Sequence, residues 1–304
     1  MPAPIIVVGS LNMDFVAQVD RLPLPGETVL GGGFRTIPGG KGANQACAAG
    51  RLGGRVRMVG RVGDDVCGEQ LRASLGAAGV DVDAVRSIDA TPSGVALIVV
   101  QANGQNQIVV AGGANGLLAP SDVESALGDA EGGYLLLQLE TPLDTVAAAA
   151  AIGKRQGMTV ILDPAPARAL PPSLLARVDI LTPNESEALV LLGRREATVS
   201  LEEAPDVARA LRNLGVSTVI LKLGGNGAFL SSASAQQHFA TSRVDVLDAT
   251  AAGDTFNGAL AVALAEGKSV ADAIAFANAA ASLSVARFGA QASIPTRAEV
   301  DARG

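Results

Sequence analysis

Short apolar runs alternate along the chain with longer segments whose apolar residues recur at helical spacing. The runs are rich in Val, Ile and Leu and end at glycine or polar residues, which is typical of strands buried in a parallel sheet. We assign strands to residues 5–8, 55–63, 134–138, 160–162, 179–181, 217–223 and 228–231. The alternation predicts an α/β fold with a doubly wound, mostly parallel sheet flanked by helices.

The segments between these strands predict helices. Small residues and periodic leucines follow most strand ends, and Pro142 stands where a proline opens a helix. The predicted helices end near residues 52, 78, 156, 192, 265 and 287. The last of them spans residues 269–287 and is rich in alanine.

Two other stretches have the residue pattern of exposed strands. Within residues 15–37 the pattern alternates first at Phe15, Ala17 and Val19, then at Thr28 and Leu30. Residues 93–111 hold two strand-like runs that flank Asn103-Gly104, a strong hairpin signal. No linker or internal repeat divides the chain, so we expect residues 1–304 to form a single α/β domain.

Composition narrows the function classes. The 304 residues are 48% hydrophobic and 17% charged, which indicates a globular protein with a sizeable core. The net charge of −7 and the lack of a basic run argue against a nucleic-acid binder. Cys47 and Cys67 give neither a disulfide framework nor metal-ligand spacing. No signal peptide or membrane span is evident, so a cytoplasmic protein without membrane partners is expected.

Residues 246–258 carry the clearest chemistry. A short apolar strand end at Val246-Leu247 runs into small residues, and an apolar helix is expected from about residue 255 to residue 265. Small residues at Ala251, Ala252 and Gly253 leave their backbone N–H groups free to point at an anion, and a helix N-terminus follows. Asp254 adds a carboxylate in the same turn. Such an arrangement suits phosphoryl transfer to a hydroxyl, in which the protein neutralises charge and orients the nucleophile. An aspartate at this position also occurs simply as a helix cap.

Polar side chains follow two of the predicted strands. Asn12 and Asp14 come after strand 5–8, and Glu140 comes after strand 134–138. Ligands bind at the carboxyl ends of strands in open α/β sheets. Asn12 and Asp14 are two residues apart, so on an extended segment they face the same way and can bind sugar hydroxyls. A solvated turn is the alternative interpretation.

The segment Gly39-Gly40-Lys41-Gly42-Ala43-Asn44 enters a helix but is not a P-loop. A P-loop needs Ser or Thr after the lysine and a glycine six residues before it, and here those positions hold Gly42 and Arg35. The glycines instead permit a ligand to approach the backbone closely. Lys41 and Asn44 can donate hydrogen bonds to it.

Two segments together resemble a known family. D-A-T-A-A-G-D-T-F-N-G at 248–258 and G-G-K-G-A-N-Q-A at 39–46 resemble the two signatures of the ribokinase-type (PfkB) sugar and nucleoside kinases. The resemblance spans about residues 5–293 and is closest to the ribokinase group. It implies a ribokinase-like sheet with a small β lid, formed by about 15–37 and 93–111, which closes over the sugar and often pairs with a second subunit.

The resemblance also implies an activity and its residues. It implies ATP-dependent phosphorylation of the 5-hydroxyl of D-ribose, with Asp254 as the base and the amides of Ala251, Ala252 and Gly253 as the anion site. The sugar-binding residues would be Asn12, Asp14, Gly40, Lys41, Gly42, Ala43, Asn44, Ile98, Glu140 and Asp254. The ATP-binding residues would be Asn184, Lys222, Leu223, Gly224, Gly225, Asn226, Gly227, Gly253 and Asn278. Lys222 stands where many ribokinases have Thr.

Two cation sites follow from the same resemblance. Asn184 and Glu187 match the family's N-x-x-E element and would organise Mg²⁺ from adjacent turns of one helix face, although carboxylates at a helix start also have a dipole-related explanation. A monovalent cation, K⁺ in this family, would be held by Asp248, Thr250, Ser284, Arg287, Gly289 and Ser293. Ala249 and Ala292 depart from the family's usual Thr and Pro.

Other functions stay open at this point. The chain is also compatible with a kinase of another small polyol, such as fructose, a ketodeoxy sugar acid or a nucleoside. A sugar-binding or nucleotide-binding regulator without turnover is the alternative from a different class. The expected partners are a sugar, ATP and a second copy of the chain bound through the lid.

Overall fold

The computed structural model describes residues 2–101, 105–128, 131–194 and 198–303. Within these ranges the strands are β1 (Ile5–Val8), β2 (Asn12–Val19), β3 (Gly33–Gly39), β4 (Val56–Gly63), β5 (Val85–Ile88), β6 (Gly94–Gln101), β7 (Asn106–Ala111), β8 (Tyr134–Leu137), β9 (Thr159–Leu162), β10 (Ile180–Leu181), β11 (Thr218–Lys222), β12 (Ala228–Ser231) and β13 (Gln236–Phe239).

The helices of the same ranges are α1 (Lys41–Arg51), α2 (Val66–Ala77), α3 (Pro120–Leu127), α4 (Leu143–Arg155), α5 (Pro172–Leu175), α6 (Glu185–Leu191), α7 (Ala204–Arg212), α8 (Ala252–Ala265), α9 (Val270–Ser284), α10 (Ala290–Ser293) and α11 (Arg297–Asp301). Two short 3₁₀ turns cover Gly113–Leu117 and Gly224–Asn226.

The main sheet confirms the predicted fold class. Over the described residues it has nine strands in the order β13-β12-β11-β10-β9-β8-β1-β4-β5. Neighbours from β5 to β11 pair in parallel, and β12 alone of these nine strands runs in the opposite direction, pairing antiparallel with both β11 and β13. From β1 the chain first builds towards β5 and then returns to build towards β13, so the sheet is doubly wound.

Each face of the main sheet is covered by its own hydrophobic core. Alternate residues of a strand point to opposite faces. Ile5 and Val7 therefore join a core with α1, α2, α8 and α9, whereas Ile6 and Val8 join another with helices α3 to α7. The uniformly apolar strands of the sequence are thus required by two covered faces.

The second sheet has four strands in the order β3-β2-β6-β7, drawn from the two stretches expected to form a lid. β6 pairs antiparallel with β7, as the hairpin prediction requires, but the turn at Asn103-Gly104 lies outside the described residues. The prediction of a strand around Thr28 and Leu30 is wrong, because residues 21–32 form no strand and β3 starts only at Gly33. Leu30 is exposed and has no neighbouring strand to cover it.

Three boundaries near the C-terminus also differ from expectation. The apolar pair Val246-Leu247 is not a strand end: residues 241–246 carry no regular structure and both side chains are exposed. α8 begins at Ala252, earlier than the expected residue 255. α9 ends at Ser284 rather than near residue 287, because the chain turns there towards α10. A search of the described helices finds none that has both the length and the hydropathy needed to cross a membrane.

Candidate active site

Polar side chains gather at the carboxyl ends of neighbouring strands of the main sheet. Asn12 follows β1, Gln138 and Glu140 follow β8, Asp163 follows β9, and Lys222 ends β11. Parallel strands bring these ends to one edge, where open α/β sheets form ligand sites. Two strand-end residues predicted from the sequence, Asn12 and Glu140, therefore lie together.

Glycines bring the entry of α1 directly onto the connection after β1. Gly40 has φ of 90°, and a Cβ atom there would lie 2.6 Å from the Asn12 nitrogen. A Cβ atom on Gly42 would lie 2.7 Å from the Gly9 carbonyl carbon. Only glycine fits such contacts, and the first excludes L side chains by conformation as well. The loop can thus place Lys41 at the edge of the sheet.

Glu140 is the hub of a polar cluster on this side. Its Oε2 accepts hydrogen bonds from Ser10 Oγ at 2.5 Å, the Lys41 amide at 3.1 Å and Asn12 Nδ2 at 3.4 Å. Asn12 Oδ1 in turn accepts from Asn115 Nδ2 at 2.7 Å. These bonds fix side chains from separate elements before any ligand arrives, which is the preorganisation that specific binding needs.

Asp14 lies two residues after Asn12 on the same face of β2. Burial raises the pKa of Asp14 to about 7, and the nearby charges of Glu140 and Asp254 add to the rise. Its carboxyl group therefore changes protonation near neutral pH.

Two other predicted sugar-side residues have distinct positions. Ile98 on β6 pairs with Val16 on β2, so its half-buried side chain lies on the sheet face that also carries Asp14. Ala43 is fully buried in the core and can offer a ligand only its backbone. Ile98 is thus the apolar candidate on this side.

Asp254 occupies the third position of α8 and is 6% exposed. Asn44 Nδ2 donates to its Oδ2 at 3.0 Å, and Gln45 Nε2 donates to its Oδ1 at 3.1 Å. Burial raises the pKa of Asp254 to about 6; Lys41 opposes this rise and Asp163 adds to it. The result is a carboxylate held in one orientation, with a proton affinity above that of an ordinary aspartate.

Lys41 faces four carboxylates. Burial alone would lower the pKa of its ammonium group, but the charges of Asp254, Asp163, Glu140 and Glu187 raise it above the ordinary value. Lys41 therefore stays charged at physiological pH. Its charge thus interacts both with Glu140 of the sugar-side cluster and with Asp254 at the start of α8.

The start of α8 offers an anion fewer free amides than the sequence suggests. Ala251 caps the helix in a left-handed conformation with φ of 59°. The Ala252 N–H already donates to the Ala249 carbonyl at 3.2 Å. The N–H groups of Gly253 and Asp254 belong to the first turn, which offers no partner inside a helix.

A cavity of about 250 Å³ opens on the other side of this turn. Among the residues predicted for ATP, it is lined by Lys222, Gly224, Gly225, Gly227, Gly253 and Asn278. Sequence reasoning missed the rest of its wall, which includes Thr241, Ser242, Val244, Val246, Ala249, Phe256, Ala281, Ser282 and Val285. Ala249 and Phe256 lie inside the 248–258 signature, whereas the other wall residues were missed because isolated small and apolar residues carry no motif.

Three predicted ATP-side residues are not in the wall of that cavity. Leu223 is 2% exposed and packs in the core. The Asn226 carbonyl accepts from His238, whose Nε2 lies 2.6 Å away. Asn184 lies at the start of α6, next to β11. Leu223 and Asn226 can thus contribute through the backbone of the loop.

Asn184 and Glu187 are close together but not on adjacent helical turns, which corrects the sequence prediction. Asn184 is the N-cap of α6 and Glu187 its third residue, and the two form a capping box. Asn184 Oδ1 accepts from the Glu187 amide at 2.8 Å, and Glu187 Oε2 accepts from the Asn184 amide at 2.7 Å. A spacing of three residues fits both arrangements, and the cap satisfies two orphan amides.

The donor set at α6 fits Mg²⁺ that is held largely through water and phosphate. Burial raises the pKa of the Glu187 carboxyl group; Lys222 opposes the rise and Asp163 adds to it. Within the described ranges, no cluster of three or more His, Cys, Asp or Glu residues is arranged to hold a metal ion. A single carboxylate with a nearby amide suits an ion that keeps several waters.

Asp248 joins the two segments expected to hold a monovalent cation. Its Oδ1 accepts from the Thr250 amide and its Oδ2 from the Gly289 amide, each at 2.9 Å. Burial would raise the pKa of Asp248, but these hydrogen bonds lower it, so the group is a carboxylate at neutral pH.

The other side chains expected at that site have local partners. Arg287 pairs with Glu299, Ser284 Oγ donates to the Ala281 carbonyl, and Ser293 Oγ donates to the Ala290 carbonyl. Any cation between the two segments would therefore be held mainly by backbone oxygens.

Sequence reasoning missed five residues of the polar network, namely Ser10, Gln45, Asn115, Gln138 and Asp163. Gln45 lies inside the G-G-K-G-A-N-Q-A segment, and Asp163 follows a buried strand as Glu140 does. The rule that selected Asn12 and Glu140 was therefore sufficient to select Asp163. Asn115 carried no such signal, because its partners at Leu11 and Asn12 are more than a hundred residues away in the sequence.

Comparisons with known proteins agree with this geometry. Residues 3–297 match the sequence model of the pfkB family carbohydrate kinases. The chain is 43% identical over 298 residues to the ribokinase of Bacillus subtilis, covering 98% of both chains. It is 41% identical over 300 residues to the ribokinase of Haemophilus influenzae, covering 98% of this chain and 97% of the relative.

A solved structure of Arabidopsis thaliana ribokinase complexed with ribose and ATP is similar throughout. The TM-score is 0.89 at 38% sequence identity, with coverage of 99% of this chain and 98% of the other. The chain therefore belongs to the pfkB family of carbohydrate kinases.

Proposed function

We propose that this protein transfers the γ-phosphoryl group of ATP to the 5-hydroxyl of D-ribose, giving D-ribose 5-phosphate and ADP. The observation that carries the proposal is the position of Asp254. This buried carboxylate, held by Asn44 and Gln45, lies between the Glu140 cluster and the cavity lined by Lys222. Full-length identity to ribokinases supports ribose as the sugar.

The sugar binds at the Glu140 cluster. Asp14, Asn12 and Glu140 offer oxygens and an amide to its hydroxyls, and Asn44 Oδ1 is a buried atom without a hydrogen-bond partner among the described residues. The backbone of Gly40, Gly42 and Ala43, the Lys41 side chain and Ile98 complete the pocket. Buried polar groups that pair only with the correct hydroxyls discriminate strongly against analogues that lack them.

In the chemical step, the 5-hydroxyl oxygen bonds to the γ-phosphorus, and the bond from that phosphorus to the bridging oxygen of ADP breaks. The hydroxyl proton passes to Asp254, which Asn44 and Gln45 hold in place. The amides of Gly253 and Asp254 donate to the transferring group, and the remaining amides at Ala251 and Ala252 line the same turn. Lys41 balances the negative charge that collects around the reacting atoms.

ATP occupies the cavity between the Gly224–Asn226 turn and α9. Asn278 lies at the adenine end, and the loop from Lys222 through Leu223 to Gly227 follows the phosphates with its backbone. Asn184 and Glu187 would hold Mg²⁺, which would neutralise the charge of the phosphates. The Asp248–Thr250 and Ser284–Ser293 segments would hold a monovalent cation, K⁺ by proposal, which would act as an activator. Use of ATP supports the expected cytoplasmic location.

A coupled assay of ADP release with a sugar panel tests this function. The panel contains D-ribose, 2-deoxyribose, fructose, a ketodeoxy sugar acid and adenosine, with ATP alone as the baseline. We expect the highest kcat/KM with D-ribose and little turnover without sugar. A higher value with another acceptor assigns the activity to that acceptor, and binding of ribose and ATP without turnover identifies a regulator.

We also propose that the small sheet is a lid over the sugar and the site of homodimerisation, within one α/β domain. Phe34, Leu97, Ile108, Val109 and Val110 of this sheet are each at least half exposed. Phe34, Leu97 and Val109 share one face of the sheet, and Ile108 and Val110 lie on the other. Exposed apolar side chains on both faces of a small sheet are typical of an interaction surface.

Sedimentation analysis tests the dimer. We expect a dimer for the native chain and a monomer for Leu97→Lys. Val66→Lys, at another exposed apolar position, on α2, is the matched control and should stay dimeric. A native chain that sediments as a monomer at micromolar concentration contradicts the proposal.

A further inference from the structure

A buried ion pair lies between the cavity and the sheet edge. Lys222 Nζ donates to Asp163 Oδ1 at 3.0 Å, and the two side chains are 12% and 3% exposed. A Cβ atom added to Gly253 would lie 3.2 Å from Lys222 Nζ. The ammonium group therefore lies against the first turn of α8.

Besides the Asp163 carboxylate, a further anion would stabilise this placement of the ammonium group. A helix N-terminus carries partial positive charge, so it disfavours a nearby cation and favours an anion. An ammonium group has three hydrogens to donate. Over the part of the chain that the structure describes, Asp163 is its one side-chain acceptor. Lys222 and the first turn of α8 thus line the same cavity, and both can donate to an anion bound there.

The second oxygen of Asp163 leads to the proposed base. Gln45 Nε2 donates to Asp163 Oδ2 at 3.0 Å and to Asp254 Oδ1 at 3.1 Å. Gln138 Nε2 donates to Gln45 Oε1 at 2.7 Å, so the amide nitrogen of Gln45 must face the two carboxylates. One continuous chain of hydrogen bonds joins Lys222 to Asp254.

We propose that Asp163 is a positioning residue of the transfer reaction, which holds the Lys222 ammonium where the γ-phosphoryl group passes and, through Gln45, keeps it aligned with Asp254. Lys222 is then a catalytic residue, because it contacts the transferring group from the ATP side while Lys41 lies on the sugar side. The bonds made and broken are those given above. The inference rests on the proposed use of ATP, and it assigns a function to a residue that no motif selected.

Binding measurements test the contact with the γ-phosphoryl group without any turnover. Calorimetry compares Mg-ADP with the Mg complex of β,γ-methylene-ATP on the full chain and on Lys222→Met. We expect the variant to bind the methylene analogue at least about tenfold more weakly, because a charge-assisted hydrogen bond is lost, and to bind ADP within about twofold of the native chain.

Lys154→Met is the matched control for that comparison. Lys154 Nζ also pairs with an aspartate, Asp179, at 2.7 Å. This pair lies near the amino-terminal ends of β9 and β10, away from the candidate site. Both nucleotides should bind this control as they bind the native chain. An equal loss for ADP and the analogue in Lys222→Met, or no loss for either, overturns the proposal.

A double-mutant cycle in steady-state kinetics tests Asp163. Asp163→Asn and Lys222→Met should each lower kcat by about 10–100-fold, with the KM for ribose within about threefold. Because the two act as a unit, the double variant should be little worse than the poorer single variant. Lys222→Arg keeps the charge and should recover most of the lost kcat.

The binding and kinetic measurements distinguish a wrong role for Asp163 and Lys222 from a wrong proposed function. If the native chain phosphorylates no sugar, the function is wrong, and the ADP comparison still decides the γ-phosphoryl contact. If it is active and the two kcat effects multiply independently, Asp163 does not act through Lys222. Should Asp163→Asn fail to fold, Gln45→Met replaces it in the cycle and must show the same coupling to Lys222→Met.

Discussion

The two halves of the candidate site are built in opposite ways. On the sugar side, buried polar side chains hold one another, with three donors on a single oxygen of Glu140. On the nucleotide side, glycines and small apolar residues surround a cavity of about 250 Å³. A small polyol needs each hydroxyl to be paired, whereas a large flat base needs space and contact area. Side-chain chemistry therefore specifies one half, and shape specifies the other.

Asp254 lies where the halves meet, so its loss should have the largest effect. We expect Asp254→Asn to lower kcat by about 10³-fold, within the range for a positioned proton acceptor, and to change the KM for ribose by less than about fivefold. Asp272→Asn is the matched control, since Asp272 has the same third position in α9 but is exposed. Near-normal turnover of Asp254→Asn in the coupled assay would remove this residue from the mechanism.

Removal of the Asp14 charge should affect the sugar half alone. Asp14→Asn should raise the KM for ribose by about tenfold or more, because a hydrogen bond to a charged group contributes about 1.5–3 kcal/mol. Calorimetric titration with ADP should give a dissociation constant within about twofold of the native value. A comparable loss of ADP affinity would show that the two halves do not bind independently.

A bulky residue in the cavity wall should affect the nucleotide half alone. Ala281 lines the cavity from α9, and Ala281→Phe fills part of its space. We expect the KM for ATP to rise by about tenfold, the equivalent of about 1.4 kcal/mol, with little change in the KM for ribose. Ala275→Phe, on an exposed face of the same helix, should leave both constants unchanged. An unaltered KM for ATP in Ala281→Phe would place the adenine elsewhere.

The smallest expected effect is that of Asp14→Asn on stability. The substitution weakens ribose binding but should raise the free energy of unfolding. Folding raises the pKa of Asp14 from 3.8 to about 7, so the folded state binds more protons than the unfolded state between these values. The free energy of unfolding therefore falls as pH rises from about 4 to 7. Asp14→Asn removes this cost, and because Asp14 is partly exposed we expect a gain of only about 1 kcal/mol at pH 8.

Urea denaturation at several pH values measures that gain. The difference between Asp14→Asn and the native chain should vanish below about pH 4, where the carboxyl group is protonated in both states. Asp20→Asn, at an exposed position just after β2, should show no such trend. A difference that does not depend on pH would argue that packing, and not charge, sets the stability at this position.

The sequence predicts the two halves unequally, and their construction explains why. Strands β1 and β12 have the predicted bounds, since runs that are apolar on both faces leave little ambiguity. The sugar-side residues stand out because polar groups directly follow such strands. The nucleotide wall, including Val246 and Ala281, gives no signal, because a small apolar residue looks the same in a core and in a cavity.

The specific errors have equally local causes. Val246-Leu247 resembles a strand end, but no neighbouring strand pairs with it, and apolar character alone cannot supply one. Asn184 and Glu187 have a spacing that suits a helix face and a capping box alike, and only the position of the helix start decides between them. Gln45 was overlooked because its partners, Asp163 and Asp254, are distant in sequence.

The meeting of strand ends at one edge also has a kinetic consequence. The contact between Ser10 and Glu140 joins positions 130 residues apart, and that between Gln45 and Asp163 joins positions 118 apart. Contacts of such high sequence separation form late in refolding because large loops must close first. After dilution from denaturant, enzyme activity should therefore recover more slowly than the helical circular dichroism signal. Recovered activity then reports that these distant contacts have formed.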